Sequence, residues 1–343
     1  MSRPDFEQLR IALLNLGEPE YVPLAELGID KKIKEAFLKK KINSIKDEVE
    51  FWYQAGYDYI NLAAKYDTDL LSGKRKFSQT GRAWAEETAG VITNEEDFEK
   101  YPWQDIINSI DYSVFEEIQS VLPKGMKIIA RAGDIFTYSW HLIGFENFCF
   151  LLADNPELIE KVVNRVGEII FGMLERESSY PNVGAIWYSD DIAYTEGLMI
   201  SPADLRKYLF PWMKKIGELA KSKGIPFIYH SDGDLRQVID ELISLGVNAL
   251  HPIEPKSMDI RELKEKYKGK LCLIGNIEVD LLCRGEPSEI EQQVKQLIKD
   301  VAVGGGFCLG SSNSVPNYTK LENYITMINT AKKYGVYPIK IEE

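Results

Sequence analysis

From about residue 180 the chain repeats one rhythm five times, and no other feature limits its fold as strongly. An apolar, β-branched run is followed by polar residues and then by an amphipathic helical stretch. "VGAIWYSDD" leads into "SPADLRKYLFPWMKKIGELAKSKG", where Ser201 serves as N-cap, Pro202 takes the first helical position and Gly224 ends the helix. "PFIYHSD" leads into "DLRQVIDELISLG", stopped by Gly246, and "NALHPIEP" into "MDIRELKEKYKG". "LCLIGNIEV" precedes "EPSEIEQQVKQLIKDV", and "GGGFCLGSSNSVP" precedes "KLENYITMINTAKKYG". Five strand-then-helix units in succession require a parallel sheet with right-handed crossovers.

The first half supplies three more units. "EYVPLAEL" precedes the helical run "KKIKEAFLKKKINSIKDEVEFWYQAG", "YDYINLAA" follows it, and "MKIIARAG" precedes the helices around 145–177. Between the last two strands, "SGKRKFSQTGRAWAEETAGVIT" reads as a hairpin insertion punctuated by Gly73, Gly81 and Gly90. Eight units predict an α/β fold, a (β/α)8 TIM barrel with an N-terminal helical extension and a hairpin insertion, forming a single domain over 1–343. An open doubly wound sheet is the alternative. The glycine-rich dinucleotide fingerprint is missing, and "GGG" at 304–306 precedes a strand rather than following one.

Composition narrows the partners. Of 343 residues 45% are hydrophobic, enough for a large core, and the net charge is −12. Lys39-Lys40-Lys41 is the one basic block, so a surface that tracks nucleic-acid phosphates is not expected. No run approaches the ~18–20 apolar residues of a membrane span, and "MSRPDFEQLR" carries no apolar signal region, which points to the cytoplasm. Cys149, Cys272, Cys283 and Cys308 form no CxxC pair and read as buried thiols. Histidine chemistry is confined to His141, His230 and His251.

Barrels of this kind place their chemistry at the carboxyl ends of the strands. Those ends carry Arg131 and Asp134, Asp190 and Asp191, His230 and Asp232, His251 and Glu254, Asn276 and Glu278, then Ser311, Ser312 and Asn313. One such end is ordinary, because turns and helix caps use the same residues. Consecutive ends converging on one mouth read as a site. His230, Asp232, Asp191 and Glu254 are the candidate catalytic groups. Asp190, Arg131, Trp187, Tyr188, His251, Asn276, Ser312 and Asn313 are the candidate binding groups, with Trp187 and Tyr188 placed to wall a flat ligand. Asp234 reads as a helix cap, Glu278 as a solvated acid, and His141 as a packed histidine among aromatics.

The pattern "GAIWYSDDIA…ISPADLRKYLFPW", then "FIYHSDGDL", "LIGNIEV" and "GGGFCLGSSNSVP", resembles the uroporphyrinogen decarboxylase superfamily, which includes cobalamin-dependent methyltransferases. The likeness covers roughly residues 180–335. It implies a (β/α)8 barrel with a funnel wide enough for a tetrapyrrole or corrinoid face. Decarboxylases of the family carry an N-terminal arginine motif that grips substrate carboxylates; "LLNLGEPEYVPLAEL" has no arginine. The zinc-dependent branch carries His-x-Cys and a later Cys. Here His230 matches the histidine, Asp232 stands at that cysteine, and Asn313 falls near the later one, so no metal is expected.

The resemblance therefore implies a demethylating methyltransferase. It would move methyl from an aryl methyl ether to cob(I)alamin on a partner corrinoid-binding protein, with His230 and Asp232 stabilising or protonating the departing oxygen. A decarboxylase or another methyltransferase of the superfamily is one alternative. A non-catalytic corrinoid- or tetrapyrrole-binding protein is another. A hard-ligand zinc site on His230, Asp232 and His251 or Glu254 is the alternative to a metal-free mouth.

Overall fold

The computed structural model describes residues 4–73 and 90–341. Most of the expected hairpin insertion, residues 74–89, lies outside the described residues. Seven strands form one parallel sheet: β1 (Tyr59–Leu62), β2 (Lys127–Ala130), β3 (Val183–Ser189), then β6 (Phe227–His230), β7 (Ala249–His251), β8 (Cys272–Ile277) and β9 (Phe307–Ser311), in that order. Between β3 and β6 a small antiparallel hairpin, β4 (Ala193–Tyr194) with β5 (Gly197–Leu198), was not foreseen from the sequence.

The sheet is parallel because each strand hands over to a helix that returns the chain to the other end. Its strands are buried on both faces: every residue of β6, β7, β8 and β9 is buried, which explains their near-continuous apolar character. Helix signals largely hold. Ser201 Oγ accepts from Asp204 N at 3.1 Å with Pro202 next in line, and Gly224 ends that helical stretch in the left-handed region at φ 66°.

Two expectations need correction. The run 31–56 is two helices, Lys31–Leu38 and Ile45–Ala55, because Lys39 turns left-handed (φ 55°) and Ser44 opens a new helix with Asp47 as a reciprocal cap. The expected first strand, "EYVPLAEL", makes one parallel bridge, Leu24 to Leu309, and no regular strand. That bridge's two backbone bonds are Ala25 N to Leu309 O (2.8 Å) and Leu309 N to Pro23 O (2.9 Å), and Pro23 has no N–H to extend the ladder; the start of the segment makes a separate antiparallel bridge, Tyr21 to Val336. On the other side β1 holds the segment with side chains. Tyr59 Oη accepts from Glu26 N (2.7 Å), and Asn61 Nδ2 donates to Glu26 O (2.8 Å) and Leu27 O (2.9 Å). The segment thus touches both edges of the sheet. A Cβ at Gly310 would stand 1.9 Å from Ala25 O, so only glycine lets it approach so closely.

Candidate active site

Pleat alternation sorts the strand ends. Ser189 pairs with His230 and His230 with His251, so these three side chains share a face, two residues beyond Trp187 and Ile228. That face is the interior: the Trp187 ring meets Tyr59 at 6.5 Å and His251 at 5.1 Å. Tyr188 takes the opposite face and stacks on Tyr229 at 5.9 Å. Trp187 and Tyr188 are both fully buried, so neither presents a wall to a ligand.

His230 and His251 face each other nitrogen to nitrogen, Nδ1 to Nδ1 at 2.7 Å. One proton lies between them. Burial, and for His251 the neighbouring His230, holds both imidazoles neutral: His230 is lowered to about 4, and His251 is held well below the usual imidazole range. His251 Nε2 is buried without a partner. A bare nitrogen there costs less than an orphaned N–H, so the shared proton belongs to His251 and His230 carries its own on Nε2. That Nε2 stands 3.6 Å from Asp191 Oδ1 and 3.9 Å from Asp232 Oδ1.

Asp232 lies in the loop after β6, two residues past His230. Its Oδ2 accepts from Asn313 Nδ2 at 2.6 Å, its N–H donates to Asp191 Oδ1 at 2.9 Å, and its Oδ1 is buried without a partner. Burial, then the charges of Asp191 and Glu254, push its carboxyl up to about 7, so near neutrality it holds a proton about half the time. Gly233 follows at φ 85°, pressed against the hairpin, where a Cβ would stand 2.6 Å from Ala193 C and Tyr194 O. Its N–H donates to Glu254 Oε2 (3.1 Å), which also accepts from Ser257 Oγ (3.1 Å). Asp234 caps no helix; its carboxylate binds Arg236 in the turn ahead of the helix Ile239–Ser244.

A cavity of about 370 Å³ opens beside these groups. Of the sequence candidates it collects Asp232, Glu254, Ser312 and Asn313. It adds Lys256, Asp280 and Tyr318, which lie just past the polar residues read as strand ends, and Glu278, read as solvated, is on its wall. Ser312 Oγ accepts from Val279 N at 3.3 Å, and buried Asn276 donates to Ile253 O at 2.7 Å; both brace loops.

Asp190 is structural. Its buried carboxylate accepts from Phe136 N (2.6 Å), Thr137 N (2.9 Å) and Thr137 Oγ1 (2.9 Å), with Tyr188 Oη as a fourth donor. It caps the helix Ile135–Ile143 from the neighbouring strand. Asp134, held by Ser189 Oγ at 3.0 Å, is raised well above the usual carboxyl range by burial and by Asp190. Arg131 donates to Leu27 O at 2.8 Å. His141 packs edge-on against Trp140 at 4.1 Å. Glu26, overlooked in the sequence, is fully buried and bound to Ser311 N (2.7 Å) and Ser311 Oγ (2.6 Å); burial raises it to about 8.

A curled parallel sheet with ionisable groups gathered at its carboxyl ends defines an α/β enzyme of the TIM-barrel kind. The chain belongs to the uroporphyrinogen decarboxylase (URO-D) family, whose model matches residues 87–334. A methyltransferase from Methanosarcina mazei shares the fold at a TM-score of 0.68 and 15% identity, over 95% of this chain and 98% of that one. A sugar phosphate isomerase/epimerase from Parabacteroides distasonis is similar at a TM-score of 0.40 and 12% identity, over 92% of this chain and 98% of that one, too distant to argue from. No curated protein matches the chain.

Proposed function

We propose that the chain is a corrinoid-dependent methyltransferase that removes methyl from an aryl methyl ether and passes it to a corrinoid on a partner protein. The observation that carries this reading is Asp232 on the wall of a cavity, with the buried, neutral His230 3.9 Å behind it. The cavity, about 370 Å³, suits one substituted ring and not a corrinoid. A corrinoid would meet the rim from outside, as it would when carried by a partner. When present it supplies the nucleophile, a cobalt(I) centre that takes the methyl group.

The chain's residues then serve the leaving oxygen. As the carbon–oxygen bond breaks, its electron pair goes to that oxygen. Asp232 gives its proton there, and His230 Nε2–H stabilises the charge that develops. Asn313 Nδ2–H holds Asp232 Oδ2 and fixes the orientation of the carboxyl group. Glu254 fixes the Gly233 backbone and with it the angle of the loop.

One observation favours a second reading. Asp191, His230 and Asp232 bring three donor atoms within 4.8 Å of one another, a group able to hold a divalent ion. A thiolate zinc site does not fit, because Asn313 turns its Nδ2–H toward Asp232 and offers no thiolate. A harder ion fits the two carboxylates, yet it needs His230 Nε2 bare, which puts the buried His251 N–H without a partner. Elemental analysis with activity before and after chelation tests this. The methyl-transfer reading with Asp232 as acid expects no stoichiometric metal and unchanged turnover; one metal per chain with loss of activity on removal favours the second reading.

A further inference from the structure

His230 and His251 are register partners on β6 and β7, so their imidazoles stand side by side on the interior face. The ring centroids are 5.0 Å apart and the planes differ by 31°, with the two Nδ1 atoms in contact. The Nε2 atoms meet different surroundings. That of His230 faces Asp191 and Asp232, and that of His251 is buried without a partner. Two arrangements of one proton satisfy the shared contact. With the proton on His251 Nδ1, His230 carries its N–H at Nε2 and directs it at Asp191 Oδ1 (3.6 Å) and Asp232 Oδ1 (3.9 Å). With the proton on His230 Nδ1, His251 buries an N–H that no acceptor meets, and a bare His230 nitrogen faces carboxylate oxygens. The second arrangement is opposed at both ends of the pair, for two separate reasons.

Only that second arrangement offers His230 Nε2 to a cation. Asp191, His230 and Asp232 otherwise have the imidazole and carboxylate donors that zinc accepts. A histidine that binds a metal through one nitrogen normally donates its other N–H to an acceptor. Position 251 supplies a donor where such a ligand needs an acceptor. We propose that His251 is a positioning residue that holds His230 in its Nε2–H tautomer and so closes the Asp191–His230–Asp232 group to zinc. One buried side chain thereby decides whether the mouth presents a hydrogen-bond donor or a metal ligand. An oxygen acceptor at position 251 reverses the choice. This lock rests on the histidine pair alone, whereas the use of the Nε2–H by a departing oxygen rests on the methyl-transfer reading.

Long-range proton–nitrogen NMR spectra of the full chain at neutral pH show which nitrogen of each imidazole carries the proton, and a chain with 3 histidines lets each signal be assigned by substitution. The wild type should show His230 protonated on Nε2 and His251 on Nδ1. In His251→Asp, whose carboxylate oxygen replaces the Nδ1 donor with an acceptor, the His230 proton should move to Nδ1. Equilibrium dialysis with zinc chloride should then show this variant binding zinc at least about tenfold tighter than the wild type, the size of effect that a ligand's hydrogen-bond partner has on metal affinity. Adding His230→Ala to the variant should remove the gain. A wild-type His230 proton on Nδ1, wild-type zinc binding as tight as the variant's, or a gain in a variant whose His230 proton stays on Nε2 would each overturn the lock. If His251→Asp fails to fold, the wild-type spectrum still decides. A wild type with the expected tautomer that transfers no methyl keeps the lock and refutes the reaction. Methyl transfer by a chain whose His230 proton lies on Nδ1 refutes the lock alone.

Discussion

Asp190 and Asp191 are neighbours in the chain with different work. Asp190 turns back to cap the helix Ile135–Ile143, and Asp191 faces His230. Asp190→Ala strands buried donors and should cost about 2–3 kcal/mol of stability, with turnover per folded molecule nearly unchanged, as paired melting and rate measurements would show. Asp232 belongs to the chemistry. Its raised value means the protonated acid is present below about pH 7 and lost above it, so turnover should fall as pH rises through 7. Asp191→Asn removes one of the charges that raise Asp232 and should move this fall to lower pH. Asp232→Asn should lower turnover on the order of 10²–10³-fold and abolish the fall, with melting temperature little changed because Asp232 caps no helix. The sequence showed that this stretch is polar. It could not show which member of an Asp–Asp pair turns inward, since that depends on a strand's register with its neighbours.

At the scale of elements, the seven strands were legible because each is a short apolar run that follows a glycine or proline within a few residues and leads into a helical stretch. The N-terminal segment was not, because its pairing uses the Tyr59 and Asn61 side chains where a strand would use backbone. The break at Lys39 was readable in principle: Ser44 and Asp47 spell a capping box inside the long helical run. Glu26 gives the N-terminal segment its own signature. Its carboxyl rises from 4.5 to about 8 on folding, so the folded state binds the extra proton between these values. The resulting stability is complete below pH 4.5 and lost as pH rises through 8, a change on the order of 5 kcal/mol. Denaturant titrations at pH 5, 7 and 9 should show that decline in the wild type and a flatter profile in Glu26→Gln. Equal slopes for both would remove Glu26 from the account.

At the scale of the whole molecule, the sheet brings β6 to β9 together so that their carboxyl ends share one cavity, and the family is shown by the match over residues 87–334. Among the described residues no helix is long and apolar enough to cross a membrane. The central claim is that this mouth moves a methyl group. Its most direct test mixes the purified chain with a reduced corrinoid protein and a panel of aryl methyl ethers, and follows the corrinoid spectrum. Conversion of cob(I)alamin to methylcob(III)alamin, dependent on both ether and Asp232, is the result predicted here. No conversion across O-methyl and N-methyl donors, or decarboxylation of uroporphyrinogen instead, would contradict it.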